Sequence, residues 1–333
     1  MMKNKSQLYH AGIATFMGAK WLESPSMLSP GSVAVVGVPF DYTCGSRPGA
    51  RWGPRAIRQS SMYVEYFLNS SPDQVYVDVG SGNSVEIPEN FNVYDLGDIE
   101  LFPTDINHTM ETIASYIKSI SEKGVFPLIM GGDHFITIPA FQGYTEGTDQ
   151  TANRAIQRTG YIHLDSHLDI FEDNPPWGKF YHGSTVRRIA EAGRIDPSHM
   201  LLIGGHGLVG KESWDFLQRN CIKLLPLQTL RAEGIEPCIK QALEQLTSKV
   251  DRIYLSIDID VVCAAFAPGT GGISLDGLRP NEFLSIVDIL ADYPIGALDL
   301  VEVAPNFDTS ERTQRLAAEA LFTFLLKKRI QQK

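Results

Sequence analysis

The sequence predicts an α/β fold in which about eight strands form a mainly parallel sheet with helices on both faces. Three observations carry this. Short, apolar, β-branched runs recur along the chain, helical patterns separate most of them, and no linker, internal repeat or low-complexity tract divides the 333 residues. Alternating strand and helix units require crossover connections, which make neighbouring strands parallel and bury both sheet faces. One domain over residues 1–333 is the expectation.

The strand candidates, in order, are VAVVGVPF from Val33, NVYDLG from Asn92, FPLIMGG from Phe126 and YIHLD from Tyr161. HMLLIGG from His199, IKLLPL from Ile222, RIYLSIDID from Arg252 and IGALDLVEV from Ile295 complete the set. Each run is short, as strands are, and rich in residues that suit a buried sheet. Helical patterns occupy 107–123, 181–192, 235–248 and 279–292. The closing ERTQRLAAEALFTFLLKKRI carries an apolar stripe, with basic residues in the last turn, where the helix dipole favours them.

Composition excludes several classes of function. With 43% apolar and 20% charged residues the chain has ordinary globular composition. A formal charge of −10 and a pI near 5.3 speak against a nucleic-acid partner and suit a small cationic substrate. Cys44, Cys221, Cys238 and Cys263 are scattered without a CxxC pair, as in reduced cytoplasmic proteins rather than disulfide frameworks or zinc ribbons. No apolar run reaches 18 residues, so no membrane span is expected. Lys3 and Lys5 followed by AGIATFMGA faintly imitate a secretion signal, but the apolar part is short and broken by Gly.

The polar clusters sit at strand ends. GGDHF (131–135) follows the third strand candidate, DSHLD (165–169) the fourth, DID (258–260) ends the seventh and Glu302 ends the eighth. In a parallel sheet all these ends lie along one edge, where ligands bind. Asp165, His167 and Asp169 alternate and would share one face of an extended chain. Crowded carboxylates repel or desolvate one another unless a cation sits between them. His134, Asp165, His167, Asp169, Asp258 and Asp260 are therefore the candidate metal ligands. Taken alone, the DxHxD pattern also fits an ordinary hydrogen-bonded pair; the convergence of several strand ends is what favours metal. Two imidazoles and four carboxylates, without thiolate, suit borderline-hard divalent ions such as Mn²⁺. Six ligands exceed the need of one ion but fit two ions roughly 3.5–4 Å apart, an arrangement that acidifies a water into a nucleophile. Asp133 is expected to orient a ligand. His163 reads as a satisfied core histidine.

The sequence resembles the ureohydrolases, the arginase/agmatinase family, and within it the agmatinase-like branch. The matching segments are GIATFMG from Gly12, GVPFD from Gly37, RPGARWGPRAIR from Arg47 and MGGDHF from Met130. HLDSHLD from His163, HGSTVRRI from His182, SIDIDVV…AFAPGTGG from Ser256 and VEVAPNFD from Val301 continue the match, which spans about residues 12 to 325. The resemblance implies a three-layer α/β/α sandwich around a mainly parallel eight-stranded sheet. It also implies two divalent ions per subunit, Mn²⁺ with Ni²⁺ as the alternative, and hydrolysis of a guanidino compound to urea and an amine in a cytoplasmic enzyme. The family's six ligand positions fall on the six residues named above, its catalytic histidine on His182 and its guanidinium-holding glutamate on Glu302. A homo-oligomer, trimer or hexamer, is usual in the family, with a hetero-oligomer as the alternative. The first matching segment also implies that the N-terminus belongs to the mature protein.

Departures from the family pattern concern the substrate. Phe171 stands where arginases carry an Asn, the loop EDNPPWGKFY adds Trp177, and Gly205 and His206 replace an apolar residue and Arg. Phe135 stands for Ser, and Val262, Cys263 and Ala264 replace an LDP sequence. Phe171, Trp177, His206 and Glu302 are the candidate substrate contacts. An apolar, aromatic rim leaves the polar end of an amino acid unpaired. The expected substrate is thus not arginine, with agmatine, 4-guanidinobutyrate and free or alkylated guanidine as the choices. FDTSERTQRLAA resembles the formimidoylglutamase branch instead, so a formimidoyl-group hydrolase is one alternative and a non-catalytic subunit of a hetero-oligomer another.

Overall fold

The computed structural model describes residues 12–68, 92–151 and 158–330, with 71, 75–77, 79 and 82–86. The segment of Lys3 and Lys5 lies outside the described residues. Each of the eight expected strands is present: β2 (Val33–Gly37), β5 (Val93–Asp98), β6 (Phe126–Met130), β7 (Thr159–Leu164), β8 (Met200–Ile203), β9 (Lys223–Leu225), β10 (Arg252–Asp258) and β11 (Ile295–Val301). A ninth, β1 (Lys20–Trp21), adds to the edge, aligning Lys20 with Tyr94. The sheet runs β1-β5-β2-β6-β11-β10-β7-β8-β9, and every pairing in it is parallel. The eight-strand expectation is thus corrected to nine, because two residues are too few to show a period. A separate antiparallel hairpin joins β3 (Val75–Val77) and β4 (Ser84–Glu86).

Helices cover both faces, and strand alternation assigns the residues to each. Val33 and Val35 of β2 pack with α1 (Gly53–Leu68), α6 (Leu227–Glu233), α7 (Ile235–Thr247), α8 (Pro280–Ala291) and α9 (Arg312–Ile330) in one buried cluster. Ala34 and Val36 pack with α2 (Ile106–Ser121), α3 (Thr137–Thr151), α4 (Thr185–Glu191) and α5 (Lys211–Arg219) in the other. Two apolar layers on either side of one sheet are the three-layer α/β/α sandwich. The topology also determines where function can gather: β6, β11, β10 and β7 are adjacent, and their carboxyl ends share one edge.

A buried charge cluster ties the first segments together. Arg58 on α1 donates Nε and Nη2 to the two carboxylate oxygens of Asp95 (2.9 and 3.0 Å), Nη1 to Asp98 (2.5 Å) and Nη2 to the Gly97 carbonyl (2.7 Å). The Phe16 N–H also donates to Asp95, at 2.8 Å. Asp95 is fully buried, so removing its cation strands a charge. Arg58→Met is expected to cost about 3–5 kcal/mol of folding free energy, read as a lower denaturant midpoint; an unchanged midpoint would mean that the cluster contributes no net stability.

Candidate metal centre

The polar strand ends meet as the order of the strands requires. His134 opens a 3-10 turn just after β6, and its Nδ1 lies 3.1 Å from Asp165 Oδ2, 3.3 Å from Asp169 Oδ2 and 3.2 Å from Asp258 Oδ2. His167 Nδ1 lies 3.4 Å from Asp165 Oδ1 and 3.0 Å from Asp260 Oδ2. Asp165 thus turns one oxygen to each histidine, and two groups of potential ligands share it. All six candidate ligands are brought together.

They are not brought together by the geometry that alternation suggests. β7 ends at Leu164, and the chain leaves extended conformation before Asp165. Asp169 takes the left-handed region, φ 46°, where its carbonyl still accepts the N–H groups of Val186 and Arg187. Glu302 does the same after β11, at φ 64°. Two acids in a conformation that non-glycine residues avoid indicate that the surrounding structure holds them there.

Behind His134 runs a relay of buried hydrogen bonds. Its Nε2 contacts Ser256 Oγ at 2.9 Å, Ser256 donates to Asp299 Oδ1 at 2.6 Å, and Tyr254 OH donates to Asp299 Oδ2 at 2.6 Å. The relay puts the imidazole proton on Nε2 and turns the Nδ1 lone pair to the acids. Sequence reasoning passed over Ser256, Asp299 and Tyr254; Ser256 and Tyr254 alternate with Asp258 along β10, which was the available signal. His163, set aside as a core histidine, stacks on His134 with ring centroids 4.6 Å apart, and its Nε2 lies 3.0 Å from Asp165 Oδ2. Asp133 does not reach a ligand. It accepts the Thr43 N–H (3.0 Å) and hydroxyl (2.7 Å), anchoring the loop after β2.

Charge within the cluster is unresolved by protein groups alone. Burial, together with neighbouring carboxylates, pushes Asp258 well above the ordinary range, Asp169 to about 7 and Asp260 to about 6. Asp165 Oδ2 is buried without a hydrogen-bond partner. This carboxylate oxygen, amid acids forced toward protonation and with ring nitrogens of His163 and His134 3.0 and 3.1 Å away, fits divalent cations. The donor set is nitrogen and oxygen throughout, which accords with Mn²⁺ or Ni²⁺.

Beside the cluster, His182 Nδ1 bonds Glu302 Oε1 at 3.1 Å, and the His134 N–H donates to the same oxygen at 3.0 Å. The Gly45 N–H donates to His182 Nε2 at 3.0 Å. Burial opposes a charge on this imidazole, but the Glu302 carboxylate holds its pKa up to about 9. Cys44, absent from the sequence-based candidates, groups with His182 and Glu302; burial and then Glu302 push its thiol up to about 11.

A cavity of about 760 Å³ opens over these groups, lined by Phe171, His206 and Trp214 as well as by Asp169, His182, Asp258, Asp260 and Glu302. No Lys or Arg lines it among the described residues. His206 is pinned, Nδ1 on the Gly204 carbonyl (3.0 Å) and Nε2 on Ser274 Oγ (2.9 Å). The Trp177 ring stands beside Gly45, whose N–H bonds His182, and Asn174 and Pro175 of the same loop line the cavity.

The family model described as Arginase family matches residues 31–327. The chain is 31% identical to a guanidinopropionase of Pseudomonas aeruginosa over 95% of its own length and 91% of that protein's. Among solved structures, proclavaminate amidino hydrolase from Streptomyces clavuligerus superposes with a TM-score of 0.79 at 29% identity, covering 97% of this chain and 99% of that one. Formimidoylglutamase from Bacillus subtilis gives 0.79 at 25% identity, covering 98% and 96%.

Replacing Asp169 by Gly removes one crowded carboxylate and a left-handed side-chain conformation worth about 1–2 kcal/mol. In metal-free protein Asp169→Gly is expected to raise the thermal midpoint, measured by calorimetry; a lower midpoint would show that the carboxylate is favourably paired without metal.

Proposed function

The chain belongs to the arginase family, hydrolases that depend on two metal ions and cleave guanidino C–N bonds, and from that premise we propose its site roles and its class of substrate. His134, Asp165, Asp169 and Asp258 would hold one divalent ion, and His167, Asp165 and Asp260 the other. Their convergence, with Asp165 turned both ways, supports this reading. Bound there, a pair of Mn²⁺ or Ni²⁺ ions supplies a water acidic enough to act as nucleophile near neutral pH.

The protein's own groups do the rest. Glu302, fixed by the His134 N–H and by His182, offers its carboxylate to a planar guanidinium, the geometry at which carboxylates bind best. Fixing the carbon in this way makes the attack effectively unimolecular. An amine leaves poorly unless protonated, and His182 is the group placed to supply the proton. With Nδ1–H on Glu302, its Nε2 would take and give the proton once the Gly45 N–H releases it, and the high pKa that Glu302 confers keeps protonation accessible at neutral pH.

The single observation that carries the substrate class is a cavity lining without Lys or Arg beyond the His182–Glu302 pair, among the described residues. A carboxylate tail would be desolvated there without a partner, at a cost of several kcal/mol. The reading therefore favours free or alkylated guanidine over arginine and 4-guanidinobutyrate. Agmatine, whose tail is an ammonium, meets Asp173 in the lining and ranks between them. The same lining disfavours an anionic formimidoyl substrate. Scattered, unpaired cysteines support a cytoplasmic enzyme, and family membership supports a homo-oligomer of three or six chains.

Urea release should be measured across guanidinium, methylguanidine, agmatine, 4-guanidinobutyrate and arginine with Mn²⁺- and Ni²⁺-loaded protein. Guanidinium or methylguanidine is expected to exceed arginine in kcat/KM by about a hundredfold, the effect of one unpaired buried charge; faster turnover of arginine or 4-guanidinobutyrate sinks the substrate class. His182→Ala should lower kcat by about 10²–10⁴ with metal content unchanged, whereas loss of metal in that variant would assign His182 to the ligands.

A further inference from the structure

Cys44 completes a second kind of donor set on the wall of the guanidinium seat. Its Sγ, a ring nitrogen of His182 and a carboxylate oxygen of Glu302 all lie within 4.8 Å of one another. The loop carrying Cys44 is held to the site from both sides: Asp133 accepts Thr43, and the Gly45 N–H reaches His182 Nε2. Opposite stands Gly271, which has no side chain to intrude. A Cβ built there would lie 3.0 Å from the Arg47 carbonyl oxygen, 3.2 Å from Cys44 Sγ and 3.5 Å from Glu302 Oε2, so a side chain at this position would crowd both the sulfur and the carboxylate. Thiol, imidazole and carboxylate within reach of one another are the ligand types of Zn²⁺ and of thiophilic ions generally, whereas the neighbouring cluster is purely nitrogen and oxygen.

We propose that Cys44, His182 and Glu302 form a third metal site, inhibitory and selective for thiophilic dications such as Zn²⁺ and Cd²⁺, which bind in place of the substrate's guanidinium. On binding, the Cys44 S–H bond breaks, its proton leaves to solvent and an S–metal bond forms; nothing is oxidised or reduced. The competition with guanidinium rests on the reading of Glu302 as the guanidinium holder, while the site itself does not. The thiol is not a nucleophile in this arrangement, since burial and Glu302 keep it protonated at neutral pH.

The test uses protein already loaded with Mn²⁺ or Ni²⁺, titrated with Cd²⁺ and followed by the ultraviolet sulfur-to-cadmium charge-transfer band. Cys44→Ser keeps Cys221, Cys238 and Cys263 as an internal control for adventitious thiolate binding. One band equivalent is expected in the natural protein, missing in Cys44→Ser and suppressed by excess guanidinium chloride at constant chloride. In turnover assays Zn²⁺ should inhibit competitively, with an inhibition constant raised at least about tenfold in Cys44→Ser, as for loss of one ligand of three. Equal bands in the two proteins, or equal inhibition through displacement of the loaded ions, overturns the site. A Cys44-dependent band in protein that hydrolyses no guanidino compound would sink the functional reading and leave this site standing.

Discussion

Four carboxylates and two imidazoles share a volume from which none can withdraw, because each is fixed at or just beyond the end of a strand in one sheet. β6, β11, β10 and β7 lie side by side and point the same way, so the turns after them empty into one space. Crowding of like charges is a consequence of that order. Burial and then this crowding push Asp258, Asp169 and Asp260 toward their neutral forms, which a cation between them would reverse. The rest of the site serves to keep this arrangement from relaxing.

The means of keeping it are local and physical. Left-handed backbone at Asp169 and Glu302 aims two acids inward that an extended chain would aim elsewhere. The relay from Tyr254 through Asp299 and Ser256 leaves His134 with one ring orientation. Gly132 lets two loops touch: a Cβ there would sit 1.7 Å from the Phe40 carbonyl oxygen, so any side chain would drive the loop after β2 away from the site. That loop carries Cys44 and Gly45, and its position depends on this contact and on Asp133.

Much of this was legible in the sequence, and for stated reasons. Eight strands announced themselves through buried β-branched runs, and the six candidate ligands through acids and imidazoles repeated at strand ends. The two-residue β1 carries no period of its own and exists only through pairing with β5. α3 went unnamed because TIPAFQGYTEGTDQT is polar and holds two glycines; it is helical because Ala140, Phe141 and Tyr144 pack onto the sheet. Cys44 was invisible for a different reason. Its partners come from residues 182 and 302, and nothing near it in the chain hints at either.

The division of labour within the site follows from what each part can distinguish. Every guanidino compound offers the same planar cation and the same carbon, so the groups that meet these parts cannot choose among substrates. Choice falls to the wall beyond them. The arginines of α4 lie outside the lining and face acids: Arg187 is paired with Glu191 and Glu212, and Arg188 Nη2 lies 2.9 Å from Glu191. His206 has both ring nitrogens bonded, to the Gly204 carbonyl and to Ser274. An incoming carboxylate would have to break one of these contacts to find a partner, and the exposed rings of Phe171 and Trp214 offer it none.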